Sequence, residues 1–293
     1  MKRTATLRKL LDEPGITVMP GVHDALSARL AEQVGFRVIN VGGAMVANSI
    51  LGVPDVGLAT MSEMTDQIRR VTATTTIPSI ADADTGYGNE INVMRTVREY
   101  EAAGAAGMYM EDQVFPKRCG HFSGKQVVPA AEMISKIKAA VEARSDDDFV
   151  IIARTDARTV VGFDAAVVRS NAYVEAGADM IFFEAPESEE ELRQIPKLVG
   201  APVMANMISG GGFTPLMTAH DLGVMGFKLV NFGGASQQAA MHAVLGLYEE
   251  LMRTGTTAGY SDRMLDFDER QRRVGLAEVM ELEQRFATAK RSA

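Results

Sequence analysis

Two carboxylates separated by one residue close a short apolar stretch in Ile80-Ala81-Asp82-Ala83-Asp84-Thr85-Gly86-Tyr87-Gly88-Asn89. Side chains alternate along an extended chain, so Asp82 and Asp84 leave on one face, where two unpaired negative charges repel and resist burial. A hard cation removes that conflict: Mg2+ takes oxygen ligands, keeps several waters and needs only one or two protein carboxylates. The plain alternative is a solvated turn rich in Asp and Gly. Comparable polar residues further along favour the site. Glu111 and Asp112 follow Met108-Tyr109-Met110, Arg154 and Asp156 follow Val150-Ile151-Ile152-Ala153, Glu184 follows Met180-Ile181-Phe182-Phe183, and Asn206 follows Val203-Met204-Ala205. Gly42-Gly43-Ala44 and then Asp55 come after Val38-Ile39.

A second cluster, Lys117-Arg118-Cys119-Gly120-His121, sets the chain's only cysteine among two cations and an imidazole, on a segment long enough to act as a lid. Such neighbours lower a thiol's pKa, so the sequence favours a functional Cys119 with a lowered pKa over an inert buried filler. Zinc is not indicated, because no second cysteine exists and His23, His121, His220 and His242 lack ligand spacing.

Bringing these groups together requires strands that end at one rim. Near-continuous apolar runs predict eight strands, at 16–19, 36–41, 78–81, 107–110, 149–153, 179–183, 203–205 and 227–231. Helical patterns at 4–12, 24–34, 61–72, 92–103, 130–143, 164–176, 189–198 and 219–223 lie between them, several ending in glycine. The alternation predicts an α/β fold, a closed parallel (β/α)8 TIM barrel over 1–257, whose strand-end rim hosts the chemistry. No strand leads into Gly-x-Gly-x-x-Gly, and Ser209-Gly210-Gly211-Gly212 reads as a flexible loop rather than a phosphate cradle. After a polar linker at 260–268, a helix at 269–290 carries an apolar stripe the barrel does not need. The extension 258–293 therefore folds back or packs on another subunit, the latter implying a homo-oligomer.

The 293 residues are 46% hydrophobic and carry a net charge of −8 with acids and bases interleaved, which argues against nucleic acid as a partner. A single cysteine, no secretory leader in MKRTATLRKLLDEPG and no apolar run of membrane-spanning length point to a cytoplasmic protein with no membrane partner.

Over roughly 14–257 the chain resembles the isocitrate lyase and phosphoenolpyruvate mutase superfamily. The resemblance rests on Asp82-Ala83-Asp84-Thr85-Gly86-Tyr87-Gly88, Glu111-Asp112-Gln113, Lys117-Arg118-Cys119-Gly120-His121, Ala153-Arg154-Thr155-Asp156-Ala157 and Ala205-Asn206-Met207. It implies a (β/α)8 barrel, dependence on Mg2+ (or Mn2+), and tetramers that exchange a C-terminal helix. By motif, Asp82 would bind the ion directly while Asp55, Asp84 and Glu111 hold its waters. Arg154, Glu184, Asn206, Gly120 and His121 would contact substrate or order the site, and Gly42, Gly43 and Ala44 would offer amides to a carboxylate. Lys117, Arg118 and His121 would stabilise an enolate-like product that Cys119 protonates. The cysteine loop, Phe122-Ser123-Gly124-Lys125-Gln126-Val127-Val128-Pro129 and Ala205-Asn206-Met207-Ile208 are most similar to lyases of the 2-methylisocitrate and 2,3-dimethylmalate type. The implied activity is cleavage of a 2-hydroxy dicarboxylate to a 2-oxo acid and a carboxylate. Oxaloacetate hydrolysis or decarboxylation, phosphonate mutase or hydrolase chemistry, and an inactive dicarboxylate-binding barrel are the alternatives. Two stretches depart from the family: Asn40-Val41-Gly42-Gly43-Ala44 replaces Tyr-x-Ser-Gly-Gly, and Asn231-Phe232-Gly233-Gly234-Ala235 stands where Pro or Ser is usual.

Overall fold

The computed structural model describes residues 2–290. Eight strands, β1 (Thr17–Val22), β2 (Ile39–Val41), β3 (Ser79–Asp82), β4 (Gly107–Glu111), β5 (Val150–Thr155), β6 (Met180–Phe183), β7 (Val203–Asn206) and β8 (Leu229–Phe232), pair in chain order. All pairings are parallel and β8 closes on β1, giving the expected (β/α)8 barrel. Alternation divides each strand between two apolar layers. Met19, Val38, Ile80, Tyr109, Ile152, Phe182, Met204 and Leu229 fill one cluster, while Ile39, Ala81, Met108, Ile151, Ile181 and Val230 pack with residues of the surrounding helices.

The helix Arg3–Asp12 adds Leu7 and Leu10 to the first cluster, and Arg8 Nη1 is tied to Asp179 Oδ1 at 2.8 Å. It plugs the barrel at the end opposite the rim. Leu7 is wholly buried, so Leu7→Ala should cost about 2–5 kcal/mol of stability, read by denaturant unfolding, while leaving activity intact where the protein stays folded.

Several boundaries differ from the sequence expectation. β2 begins at Ile39 rather than 36, whereas β3, β4 and β7 run one residue further and so include Asp82, Glu111 and Asn206. These side chains stand on the barrel's last rungs and share its rigidity, rather than following in loops. The patterns missed Gly43–Val46 with the π-turn Ala47–Leu51, the short Arg158–Val161, and the long helix Ala235–Thr254. That last helix leaves Met241, Val244, Leu245, Tyr248 and Met252 exposed along one face, at the i, i+3, i+4, i+7 and i+11 spacing of an apolar stripe. The expected helix at 269–290 is two, Phe267–Arg273 and Leu276–Lys290, broken where Gly275 adopts φ 83°. The linker holds a 3-10 turn, Ala258–Arg263. Two compact units meet in sequence at Gln237 and Gln238. Among the described residues, no helix is long and apolar enough to cross a membrane.

Candidate active site

The acids come together through β2, β3 and β4. Asp82 Oδ2 accepts from Gly43 N and its Oδ1 from Asp84 N, both at 2.9 Å. Asp84 turns back at φ 45°. A Cβ on Gly43 would lie 3.0 Å from Asp82 Oδ2 and 3.2 Å from Asp84 Oδ1, so the two carboxylates converge on a backbone that needs glycine's bareness. Of the three amides expected to face a substrate carboxylate, that of Gly43 is thus engaged by Asp82. Gly42 caps the short helix that contains Ala44.

Lys117 reaches in from the lid, its Nζ 2.6 Å from Asp55 Oδ1 and 2.9 Å from Asp84 Oδ1. Burial works against its charge, but Glu111, Asp84 and Asp55 outweigh that and hold its pKa well above the ordinary lysine value. Burial, aided by repulsion from Asp82 and Asp55 and opposed by Lys117, pushes Asp84 up to about 6. Burial likewise raises Glu111 well above the carboxylate range despite Arg154 and Lys117. Neither oxygen of Glu111 receives an aligned hydrogen bond, although Arg154 Nε lies 3.2 Å from Oε2.

On the opposite side, Arg154 is clamped by Asp156, Nε to Oδ2 at 2.9 Å and Nη2 to Oδ1 at 3.1 Å, with its guanidinium 4.9 Å over the Phe182 ring. Burial would raise Asp156, but Arg154 and Lys125 hold it down at about 2. Glu184 is buried too, yet Arg154 and His121 keep it below the usual carboxylate value. Asn206 Nδ2 lies 3.3 Å from Glu184 Oε2 and accepts, through Oδ1, from Asn231 Nδ2 at 3.0 Å.

The lid covers both halves. Its roots are pinned by Val114 N to Gln126 O and Val128 N to Asp112 O, each 2.9 Å. Its tip is pressed home: a Cβ on Gly120 would sit 2.5 Å from Arg154 Nη2 and 2.6 Å from Glu184 Oε1. Gly120→Ala should therefore obstruct seating and lower kcat/KM by about 5- to 100-fold, with little change in melting temperature. His121 Nε2 lies 2.9 Å from Glu184 Oε1, and its Nδ1 accepts from Phe213 N at 3.2 Å. A nitrogen that accepts an N–H is unprotonated, so neutral His121 carries its proton on Nε2, facing Glu184. The glycine loop at 209–212, expected to be merely flexible, thus ends in a clasp on the lid. Gly212 has room only for hydrogen there, since a Cβ would lie 2.9 Å from His121 Nδ1.

One expectation is overturned. The Cys119 thiol is not readily ionised: burial pushes its pKa up, and the partial help of the His121 backbone and Arg154 does not compensate. Lys117 is turned to Asp55 and Asp84, and Arg118 points outward to Ser123 O at 3.3 Å, so neither basic neighbour serves the sulfur.

The site thus unites Asp55, Asp82, Asp84, Glu111, Lys117, Gly120, His121, Arg154, Glu184 and Asn206 in one contact network, with Cys119 on the same lid. Sequence reasoning missed Asn231, Lys125, Phe213 and Asn40, whose Nδ2 lies against Gly42 and whose buried Oδ1 has no aligned donor. Asn40 and Asn231 were findable, because alternation continues the inner-layer positions Val38 and Leu229 onto them. Among the described residues no three Asp, Glu, His or Cys side chains cage an ion directly. The donor set nevertheless suits a hard cation: four clustered carboxylates face mainly Lys117 and Arg154, and Glu111 has oxygens lacking aligned donors. An ion keeping its water shell, with one direct carboxylate, fits these residues.

A closed parallel barrel whose strand-end rim opposes acids to a guanidinium beneath a lid is built as an enzyme active site. The chain belongs to the phosphoenolpyruvate phosphomutase family, whose profile matches residues 7–252. It is 45% identical over 290 residues to 2,3-dimethylmalate lyase of Eubacterium barkeri, covering 99% of this chain and 100% of that protein. Among solved structures, oxaloacetate acetylhydrolase with 3,3-difluorooxalacetate is similar at TM-score 0.93 and 34% identity, covering 98% of this chain and 97% of that one. Phosphonopyruvate hydrolase in complex with oxalate and Mg2+ is similar at TM-score 0.88 and 32% identity, covering 98% of this chain and 100% of that one.

Proposed function

We propose that the protein is a Mg2+-dependent carbon-carbon lyase that cleaves a 2-substituted malate or a methylisocitrate-type 2-hydroxy dicarboxylate into a 2-oxo acid and a carboxylate. The observation that carries this reading is a partly buried thiol, Cys119, on a lid whose next residue is seated on Arg154 and Glu184, across from the acids. Asp82 would hold the ion directly, and Asp55, Asp84 and Glu111 its waters. When bound, it supplies Lewis-acid stabilisation of charge on the substrate oxygens and lowers the hydroxyl pKa.

The chain's own residues do the rest. Breaking the C2–C3 bond removes the hydroxyl proton, leaves the 2-oxo group, and puts the electron pair on the departing carbon as an enolate-like dianion. A carboxylate of the acid cluster takes the proton. Arg154, fixed by Asp156, offsets a substrate carboxylate, and Lys117 and His121 stabilise the dianion. Glu184, ionised, orients His121 and faces the charge of Arg154. Cys119 delivers a proton to the carbanion, and the seated lid keeps water from doing so at random.

Oxaloacetate hydrolysis is the second reading, favoured by the fold match to the acetylhydrolase. A panel of 2-substituted malates, 2-methylisocitrate, oxaloacetate and phosphonopyruvate, with product analysis with and without EDTA, separates the readings. A 2-oxo acid from a substituted malate, lost with EDTA and restored by Mg2+, supports the lyase; turnover of oxaloacetate or phosphonopyruvate alone overturns it. The exposed apolar residues Val279, Met280, Leu282 and Phe286 support a homo-oligomer, which we read as a tetramer assembled through 258–293.

A further inference from the structure

We infer that Lys125 is a positioning residue that ties the seating of the lid to the orientation of Arg154. It lies on the returning arm of the lid, and its side chain is 1% exposed. Its Nζ donates to the carbonyl of Gly120, at the lid's tip, and to Asp156 Oδ1 at 3.0 Å. Asp156 is the carboxylate that grips Arg154 through two hydrogen bonds, and the Cα of Gly120 is the one packed against Arg154 Nη2. A single ammonium therefore bonds both to the moving element and to the group that holds the guanidinium. When the tip lifts, the Gly120 carbonyl leaves, and Lys125 keeps only Asp156 of those two partners, at a site closed to bulk solvent while the lid is shut.

A purely structural role is a poor account of this geometry. Burying an ion pair gains little stability over apolar packing of the same volume, so the pair's use lies in what it specifies. Here it specifies register, since an ammonium has three donors directed from one point, and two of them lock elements that must meet. Among the described residues Lys125 Nζ is bonded to Gly120 O and Asp156 Oδ1, not to Asp55, Asp82, Asp84, Glu111 or Cys119, and it acts through those two partners.

The inference rests on the rim being the active site, but its test does not need the substrate. Limited trypsinolysis after Lys117, whose side chain is 2% exposed while the lid is seated, followed by intact mass, reads the open population. Lys125→Met should be cut about tenfold faster than the parent, with and without Mg2+ and oxalate, as expected for loss of a charge-assisted hydrogen bond. Lys125→Arg should restore most of the protection. In the Gly120→Ala background, where the tip cannot seat, Lys125→Met should add nothing, whereas mere destabilisation would add its full effect. Equal cleavage of Lys125→Met and parent, or full additivity in the double variant, overturns the inference. Should Lys125→Met fail to fold, Lys125→Gln gives the same reading. If the parent turns over no dicarboxylate, the lyase reading falls while the cleavage rates still decide the latch.

Discussion

Asp82→Asn is expected to lower turnover by about 1,000-fold or more, the largest effect of any single substitution here. A bound cation contributes several kcal/mol of charge stabilisation, and each 1.36 kcal/mol is a factor of ten in rate. The fold should survive the change. Tyr100 OH holds the backbone carbonyl of Asp82 at 2.8 Å, so the strand end stays in place whatever the side chain. The amide keeps one oxygen for Gly43 N or Asp84 N, and loss of a charge relieves repulsion with Asp84, at the cost of leaving the other N–H without an acceptor. The diagnostic measurement is a melting curve with and without Mg2+. Because a ligand of the native state stabilises by mass action, the parent's melting temperature should rise with Mg2+ and the variant's should not. Activity within tenfold of the parent, or an unchanged Mg2+ shift, would remove Asp82 from the ion's coordination.

The barrel was legible because its signals are local. Strands covered on both faces are apolar throughout, as in Val150-Ile151-Ile152, and several helices that end in glycine before the chain returns, as at Gly35 and Gly226, mark the repeat. Asp82, Asp84, Glu111 and Glu184 were legible for the same reason, as each stands at or within two residues of its strand's end and the topology gathers those ends, whereas Asp55 lies in the longer connection after β2. What stayed hidden depends on contacts between segments far apart in sequence. Nothing local marks Phe213 as the partner of His121, 92 residues away, nor Lys125 as the partner of Asp156, 31 residues away. The helix Ala235–Thr254 was legible in the helical spacing of Met241, Leu245, Tyr248 and Met252 and was overlooked. The error over Cys119 shares its origin with the hidden contacts: basic residues adjacent in sequence are not adjacent in space, since Lys117 turns to the acids and Arg118 to the lid's outer face.

That error changes the chemistry in a useful direction, and it shapes the second large prediction. A nucleophile needs an ionised thiol, whereas a proton donor needs the opposite, and burial keeps Cys119 protonated at neutral pH. Cys119→Ser should lower kcat by about 100-fold or more, because a hydroxyl of similar size is a far weaker acid. Cys119→Ala should match it, since both lack the donor. Neither should shift the melting temperature much, as the residue is only partly buried. The sign of the pH dependence follows. The active form is the thiol, so kcat should hold through neutrality and fall as pH rises through the elevated thiol pKa. Reaction with iodoacetamide should be slow at neutral pH and accelerate over the same range, because only the thiolate reacts. A fast-alkylating Cys119, or a serine variant within threefold of the parent, would transfer protonation to His121. The imidazole could serve only by giving up the Nε2 proton that faces Glu184, and an Asn206→Ala variant, which frees that carboxylate of one donor, would then alter the pH profile where Cys119→Ser did not.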